Sequence, residues 1–233
     1  MRMRLTVVLT VLLAVLLTAI AVALAAVDTS SGEVDFTMKL TMPTEGDQAG
    51  AAMTPSGHVW FSGNKARTEM KMPTPAGVPR AQMPGSIITI VDGDARVAYT
   101  LMPDSKTAMK MSLDDPRIEA PSQPRNPRSI MDPENYPEGT KITKLGPRTY
   151  KGGKVTAYQI SWTENKEEIT CLVYVDAREL PLYIKTTMKD GTIEMTYSNY
   201  KFHKLDASLF KVPKGYQIMD MAKMMQGMPP PPK

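Results

Sequence analysis

Residues 34–42 read VDFTMKLTM, and this stretch decides the fold class. Its apolar side chains stand at every second position and alternate with Asp35, Thr37, Lys39 and Thr41. Successive side chains of a β-strand point to opposite faces of the sheet. The alternation therefore predicts a strand with one apolar face and one wet face.

The same period of two recurs along the chain, at residues 58–62, 66–72, 87–91, 97–102, 107–112, 141–145, 154–163, 167–176, 181–189 and 192–202. Turn sequences such as Ser62-Gly63-Asn64-Lys65 and Lys189-Asp190-Gly191-Thr192 join neighbouring segments as hairpins. No long amphipathic helix stands between them, which excludes the βαβ alternation of nucleotide-binding sheets. We expect an all-β fold with minor helix, a strongly curled antiparallel sheet of about eleven strands.

Two proline-rich segments, residues 75–84 and 114–138, interrupt this pattern. Residues 114–138 contain six prolines, a density that regular sheet does not tolerate. A segment of this length is either a surface loop or a lid over a cavity, with Ile130 and Met131 as the side chains that it would bury. Residues 216–228 have helix-forming composition and are followed by four prolines, which predicts that 217–233 is a helical, proline-rich tail.

The N-terminal segment has the pattern of a signal peptide. Arg2 and Arg4 precede a long apolar run, and Ala23-Leu24-Ala25 fits a signal peptidase site. Residues 1–25 are therefore predicted to be removed, which leaves 26–32 as a linker and places the protein outside the cytoplasm, in the periplasm or secreted. The run is also long enough to span a bilayer, so an uncleaved membrane anchor stays open as the alternative.

Charge and cysteine content exclude several classes of protein. The net charge is +4, and the signs alternate along the strands instead of forming the basic face of a nucleic-acid binder. A single cysteine, Cys171, excludes an intramolecular disulfide framework. It stands in the apolar alternation of Ile169, Val173 and Val175, so we expect a buried hydrophobic side chain and not a reactive thiol.

Three motifs resemble one group of exported proteins. They are Val59-Trp60-Phe61 with Lys65 to Glu69, Ile87 to Asp92 with Tyr99 to Pro103, and Tyr197 to Tyr200 with Leu209-Phe210-Lys211-Val212-Pro213-Lys214-Gly215-Tyr216. The chain resembles the DUF4412 group and, more distantly, the LolA/LolB-like lipoprotein carriers. This resemblance implies that residues 33–216 form one domain, a half-open barrel around an apolar cavity with a lid. It implies no established activity.

The sequence contains few residues or motifs that are typical of a catalytic site. Nucleophile-elbow, zinc-protease, Walker and dinucleotide motifs are absent, and the histidines are His58 and His203. Asp92-Gly93-Asp94 begins like a calcium loop but lacks the later ligands, so a plain hairpin turn is the better interpretation. We expect no enzyme activity, no catalytic residue, no metal ion and no cofactor.

Methionine is the unusual feature of the composition, with 19 Met against four Phe. Met is flexible and suits surfaces that accept varied apolar shapes, and its thioether is also a ligand for Cu(I). Residues two apart on a strand share a face, which predicts that one face is lined by Met38, Met42, Met70, Met72, Met109, Met111, Tyr158, Ile160 and Trp162. These side chains either fill a solid core or line a cavity.

The favoured hypothesis is a non-catalytic extracytoplasmic protein that binds or transfers an apolar ligand, a lipid or an acylated peptide. Its partners would be an acyl chain or other apolar molecule and possible envelope proteins. It would not bind nucleic acid, and after cleavage it would contact membranes only peripherally. One alternative is an envelope interaction or sensor module that uses a sheet edge or the Pro-rich loop. The other is a Met-rich Cu(I)-binding periplasmic protein.

Overall fold

The computed structural model describes residues 31–41, 52–73, 85–114, 138–164, 167–189 and 191–225. The strands are β1 Ser31–Thr41, β2 Ala52–Met53, β3 Ser56–Ser62, β4 Lys65–Lys71, β5 Ser86–Asp92, β6 Val97–Met102, β7 Thr107–Ser112, β8 Lys141–Tyr150, β9 Gly153–Glu164, β10 Glu167–Val175, β11 Pro181–Met188, β12 Gly191–Phe202 and β13 Gln217–Asp220. A short 3-10 helix, Ala207–Phe210, and a short α-helix, α1, Met221–Met225, complete the described part.

These strands form one sheet in the order β13-β7-β6-β5-β4-β3-β1-β12-β11-β10-β9-β8, with β2 paired beside β1. Neighbouring strands are antiparallel, except that β13 runs parallel to β7. Every predicted strand segment is present, so the prediction of an all-β fold built on one mostly antiparallel sheet is confirmed. Strong curling is not shown, because the described sheet is an open path with β13 and β8 at its ends.

Strand β1 lies in the middle and joins two halves of the sheet. One edge of β1 pairs with β3 and the other pairs with β12. Strands β3 to β7 follow in chain order on one side, and β12 back to β8 follow on the other. The predicted lid connects β7 to β8, and these two strands belong to opposite halves of the sheet. Ile130 and Met131 lie outside the described residues.

Tight hairpins hold the antiparallel order, and the turns of two of them contain glycine at positive φ. Gly63 has a φ of 56° between β3 and β4, where a side chain would be strained. Lys151 and Gly152 both have positive φ, 48° and 80°, between β8 and β9. That combination is typical of a two-residue type I′ turn, whose twist matches the twist of the flanking strands.

The sheet extends past both predicted boundaries of the domain. Ser31 and Gly32, placed in the linker 26–32 by the sequence, are the first residues of β1. Residues 217–220, predicted as part of a helical tail, form strand β13 instead, and the helix α1 is confined to five residues. As a strand, residues 217–220 pair with backbone N–H and C=O groups of β7, which would lose these partners if the segment were helical. Residues 1–25 lie outside the described part of the chain.

One face of the sheet, which we call the inner face, carries the larger buried core. On β1 the inward side chains Val34, Phe36, Met38 and Leu40 are at most 3% exposed. The cluster continues across both halves of the sheet to Met111 on β7 and Ile160 on β9. The apolar face predicted from the alternation is therefore formed, and it is continuous through β1.

A second, smaller core lies on the opposite or outer face of β5, β6 and β7. Ile88, Ile90, Leu101 and Ala108 are buried there together with Phe210 of the 3-10 helix. Other side chains of the segment 205–216 pack against the same cluster. These strands are consequently buried on both faces, whereas alternation in the sequence alone predicts a wet outer face.

Candidate apolar binding face

The structure brings most of the predicted lining residues together on the inner face. Met38, Met70, Met72, Met111 and Ile160 belong to the larger core, and Tyr158 and Trp162 pack against it from β9. Met38 lies on β1 itself, and the others belong to strands on both sides of β1 or, for Met72, directly follow one. Period-two alternation groups them on one face because that property is local to each strand.

Four predicted residues stand apart from this group. Met109 is half-buried on β7, opposite Thr100 of β6 and Met219 of β13. It shares the inner face with Met111 but is not part of the buried cluster. Met42, and the lid residues Ile130 and Met131, lie outside the described residues, so their positions stay predictions.

Strand β12 supplies lining residues that the sequence analysis did not select. Ile193, Met195 and Tyr197 are buried in the larger core, beside Val173 of β10 and Ile184 of β11. The same alternation that identified β1 is present in this strand and would have found them. The inner face is thus richer in thioethers and broader than predicted.

The polar side chains buried around Met195 and Cys171 are neutral. The Tyr197 hydroxyl donates to the Met195 sulfur over 3.6 Å, and the Tyr200 hydroxyl donates to the Pro181 carbonyl over 2.8 Å. Burial raises the pKa of both tyrosines well above its ordinary value. Burial also raises the pKa of the Cys171 thiol to about 11, and the prediction that this cysteine is buried is confirmed.

Three threonines form a row on the inner face of β4, β5 and β6. Thr68 lies opposite Thr89, and Thr89 lies opposite Thr100. Their side chains are 0%, 1% and 4% exposed, and their hydroxyl oxygens have no hydrogen-bond partner among the described residues. Sequence analysis missed this row, because the register between strands is not readable from one strand at a time.

Charged groups cluster on the outer face, where β3, β1 and β12 meet. His58 Nδ1 lies 2.5 Å from Asp35 Oδ1, and its Nε2 lies 3.1 Å from Glu33 Oε2. Lys201 donates to Glu33 and Asn199 donates to Asp35. The hydrogen bond from Lys201 is the main cause that lowers the pKa of Glu33, and the one from Asn199 has the same effect on Asp35. This cluster ties three strands together.

The candidate calcium loop is a turn, as the sequence analysis expected. Asp92 Oδ1 accepts from the backbone nitrogens of Asp94 and Ala95, and Lys65 donates to the other carboxylate oxygen over 2.6 Å. Within the described residues, no group of three or more His, Cys, Asp or Glu side chains is placed to hold a metal ion. The same residues contain no helix whose length and hydropathy would let it cross a membrane.

Comparison with known proteins gives a likeness of β architecture alone. No protein-family model and no curated protein matches the chain. A LolA superfamily protein from Nitrosomonas europaea aligns over 82% of this chain and 96% of its own, with TM-score 0.39 and 11% identity. Lipoprotein LppX from Mycobacterium tuberculosis aligns over 82% and 97%, with TM-score 0.44 and 15% identity. LprF from Mycobacterium bovis aligns over 86% and 97%, with TM-score 0.37 and 11% identity. At these low scores no property of those proteins is transferred to this chain.

Proposed function

We propose that the chain is a non-catalytic binding protein that takes up an apolar ligand, a lipid or an acylated peptide, on the inner face of its sheet. One observation carries this proposal, the continuous apolar face lined by five buried methionines, Met38, Met70, Met72, Met111 and Met195. Unbranched thioether side chains change rotamer at little cost, so such a face can repack around acyl chains of different lengths.

The expected driving force is burial of hydrocarbon. Removing apolar surface from water yields about 25 cal/mol per Å², so an acyl chain would gain several kcal/mol after its ordering cost. In this proposal the sheet bends over its inner face, and the half-open barrel predicted from the sequence is the bound shape. The segment 114–138 would act as the lid, with Met42, Ile130 and Met131 added to the lining.

The site of action belongs to the proposal as well. Residues 1–25 would direct export and be removed after Ala25, which places the binding face in the periplasm or outside the cell. The DUF4412 membership rests on the sequence motifs quoted above and is proposed on that ground. Intact mass of the protein recovered from the envelope tests cleavage, because a chain beginning at Ala26 has a defined mass.

An interaction module that adds a partner strand to the sheet edge finds less support. Strand β8, at one end of the described sheet, carries Lys141, Lys144 and Arg148, contains Pro147, and has a register shift between Lys144 and Gly146. Edge lysines, prolines and bulges are devices that oppose strand addition. This edge is therefore unfavourable for a β-strand partner.

The deciding experiment measures ligand directly. We expect native mass spectrometry of the exported protein to show a co-purifying acyl species, and a fluorescent fatty-acid probe to bind the delipidated protein. Met72→Gln and Met111→Gln, both inward, should each weaken probe binding about tenfold, because a buried amide would face hydrocarbon.

Matched controls lie one residue away on the opposite face. Lys71→Gln and Lys110→Gln change the same strands without touching the lining, and they should bind like the unmodified chain. Thermal unfolding of all four variants separates a folding defect from a binding defect. A protein free of acyl species that refuses the probe, while folded, would overturn the proposal and favour a solid core that binds another protein.

A further inference from the structure

The threonine row places three hydroxyl groups on a part of the inner face that is otherwise apolar. Thr68 stands between Ala66 and Met70, and Thr89 between Ile87 and Val91, all four of which belong to the larger core. Directly opposite residues of antiparallel strands are about 5 Å apart, so the three hydroxyls line up over about 10 Å. Val59 and Met109 continue the row at its two ends.

Burying these hydroxyls without partners is unfavourable. An unsatisfied buried hydroxyl costs about 1–3 kcal/mol, and this row holds three. Valine has nearly the same shape and the same preference for strands, and it would carry no such penalty. The backbone groups of β4, β5 and β6 are engaged in the ladder, so they leave the hydroxyls without a local partner.

The surroundings define the chemistry of the missing partner. The inward positions of β3 to β7 in the described residues are apolar, threonine or glycine, and none carries a charge. A carboxylate or phosphate would lie there without a counter-charge, which is strongly unfavourable. A neutral acceptor flanked by hydrocarbon fits, and an ester carbonyl is such a group.

We propose that the row of Thr68, Thr89 and Thr100 on the inner face binds the ester carbonyls of the ligand, so that the ligand class is an acyl ester. This inference rests on the proposed function and adds the polar part of the recognition. The hydroxyls donate to the carbonyl oxygens while the acyl chains lie along the methionine-lined surface. A bound ligand that gives these three hydroxyls hydrogen-bond partners also stabilises the loaded protein relative to the empty one.

The test compares a diacylglycerol with the dialkyl glycerol ether of the same chain lengths, each displacing a fluorescent fatty-acid probe from the delipidated full-length mature protein. An ether oxygen is a weaker acceptor and lacks the carbonyl, so we expect the ester to bind about tenfold more tightly. The triple variant Thr68→Val/Thr89→Val/Thr100→Val should bind both equally and unfold at a higher temperature than the unmodified chain.

Further variants protect the test from a folding artefact. The single change Thr89→Val should reduce the preference, and Thr89→Ser, which keeps the hydroxyl, should retain it. Thr187→Val, an exposed threonine of β11, is the matched control and should leave both affinities unchanged. Equal binding of ester and ether by the unmodified chain, or a preference that survives the triple change, would overturn this inference and leave the proposed function standing. Failure of the folded protein to bind the probe or either lipid would overturn both.

Discussion

Gly57 of β3 lies beneath the aromatic ring of Phe36 and beside the backbone of β4. A Cβ atom added there would meet the Glu69 carbonyl oxygen at 2.1 Å and two carbons of the Phe36 ring at 2.7 Å. The register places Phe36, Gly57 and Met70 side by side on the inner face. The ring therefore occupies the space that the glycine leaves open, and it covers a strand position that has no side chain of its own.

Gly57→Ala should destabilise the protein by about 2 kcal/mol or more, because neither the Glu69 backbone nor the buried ring can move away freely. Urea unfolding of the two proteins measures the change. Gly153→Ala is the control, because its added Cβ would meet only the backbone carbonyl oxygen of Tyr150, at 3.6 Å. The free energy of unfolding of this variant should change by less than about 1 kcal/mol. Equal effects of the two changes would contradict this account of Gly57.

At the residue scale, sequence alone identifies inward positions but not what they contact. Met38, Met70 and Ile160 could be placed because alternation is a property of one strand. The threonine row and the Phe36–Gly57 contact depend on which residues of neighbouring strands face each other. That register is set by turns and long-range packing, which a single strand does not reveal.

The segment 205–216 is the element that closes the outer face of one half of the sheet. The Asp206 side chain accepts from the Ser208 nitrogen over 2.8 Å and starts the 3-10 helix. Arg67 of β4 donates to the Leu209 carbonyl over 3.2 Å. Phe210 is buried against Ile88, Ile90 and Leu101. The Leu209 to Tyr216 motif, which the sequence offered only as a sign of resemblance, thus has a packing role.

Phe210→Ala should cost about 3–5 kcal/mol, since it removes the buried ring that covers the smaller core. Lys211→Ala changes the exposed neighbour and should have little effect. The free energy of unfolding in urea measures both variants. A loss for Phe210→Ala as small as that of Lys211→Ala would show that the segment is not a cover for this face.

Element by element, the strand pattern was predictable and its exceptions have a common cause. Long strands such as β1 and β12 can be recognised in the sequence from the alternation of apolar and polar side chains. Strands β2 and β13 have two and four residues, too few for a period to show. Strand β13 forms because Thr107 to Lys110 of a distant strand present partners to it, and composition over 217–228 still favours helix.

At the scale of the whole molecule, the charged cluster on the outer face bridges the two halves of the sheet across β1. Glu33 and Asp35 lie on β1, His58 lies on β3, and Lys201 and Asn199 belong to β12. The contacts thus bridge both edges of the central strand. They are partly exposed, so salt screens them and each contributes modestly.

The protein should lose stability as the pH falls below about 4, the ordinary range of carboxyl pKa values. The pKa values of Glu33 and Asp35 are lowered in the folded protein. Their stabilisation is therefore complete above the unfolded-state pKa and disappears as the pH falls through the folded-state pKa. Thermal unfolding from pH 7 to pH 3 measures this dependence.

The variant Asp35→Asn isolates the contribution of one carboxylate to this acid sensitivity. Because the amide does not titrate, the variant should show a smaller fall in unfolding temperature between pH 7 and pH 3 than the unmodified chain. Asp104→Asn, on an exposed turn, is the control and should leave the pH dependence unchanged. An identical fall for Asp35→Asn and the unmodified chain would refute the assignment to this cluster.

The central position of β1 also limits the order in which the strands can pair during folding. In the final structure Gly32 pairs with Phe202 and Thr41 with Thr192, so the second edge of β1 stays unpaired until β12 has been made. The outer face of β5 and β6 stays uncovered until Phe210 has emerged. Contacts of such long separation slow folding and expose strand edges meanwhile. Strands β1 and β3 to β7 therefore cannot complete their pairing and packing until β12 and Phe210 have been synthesised.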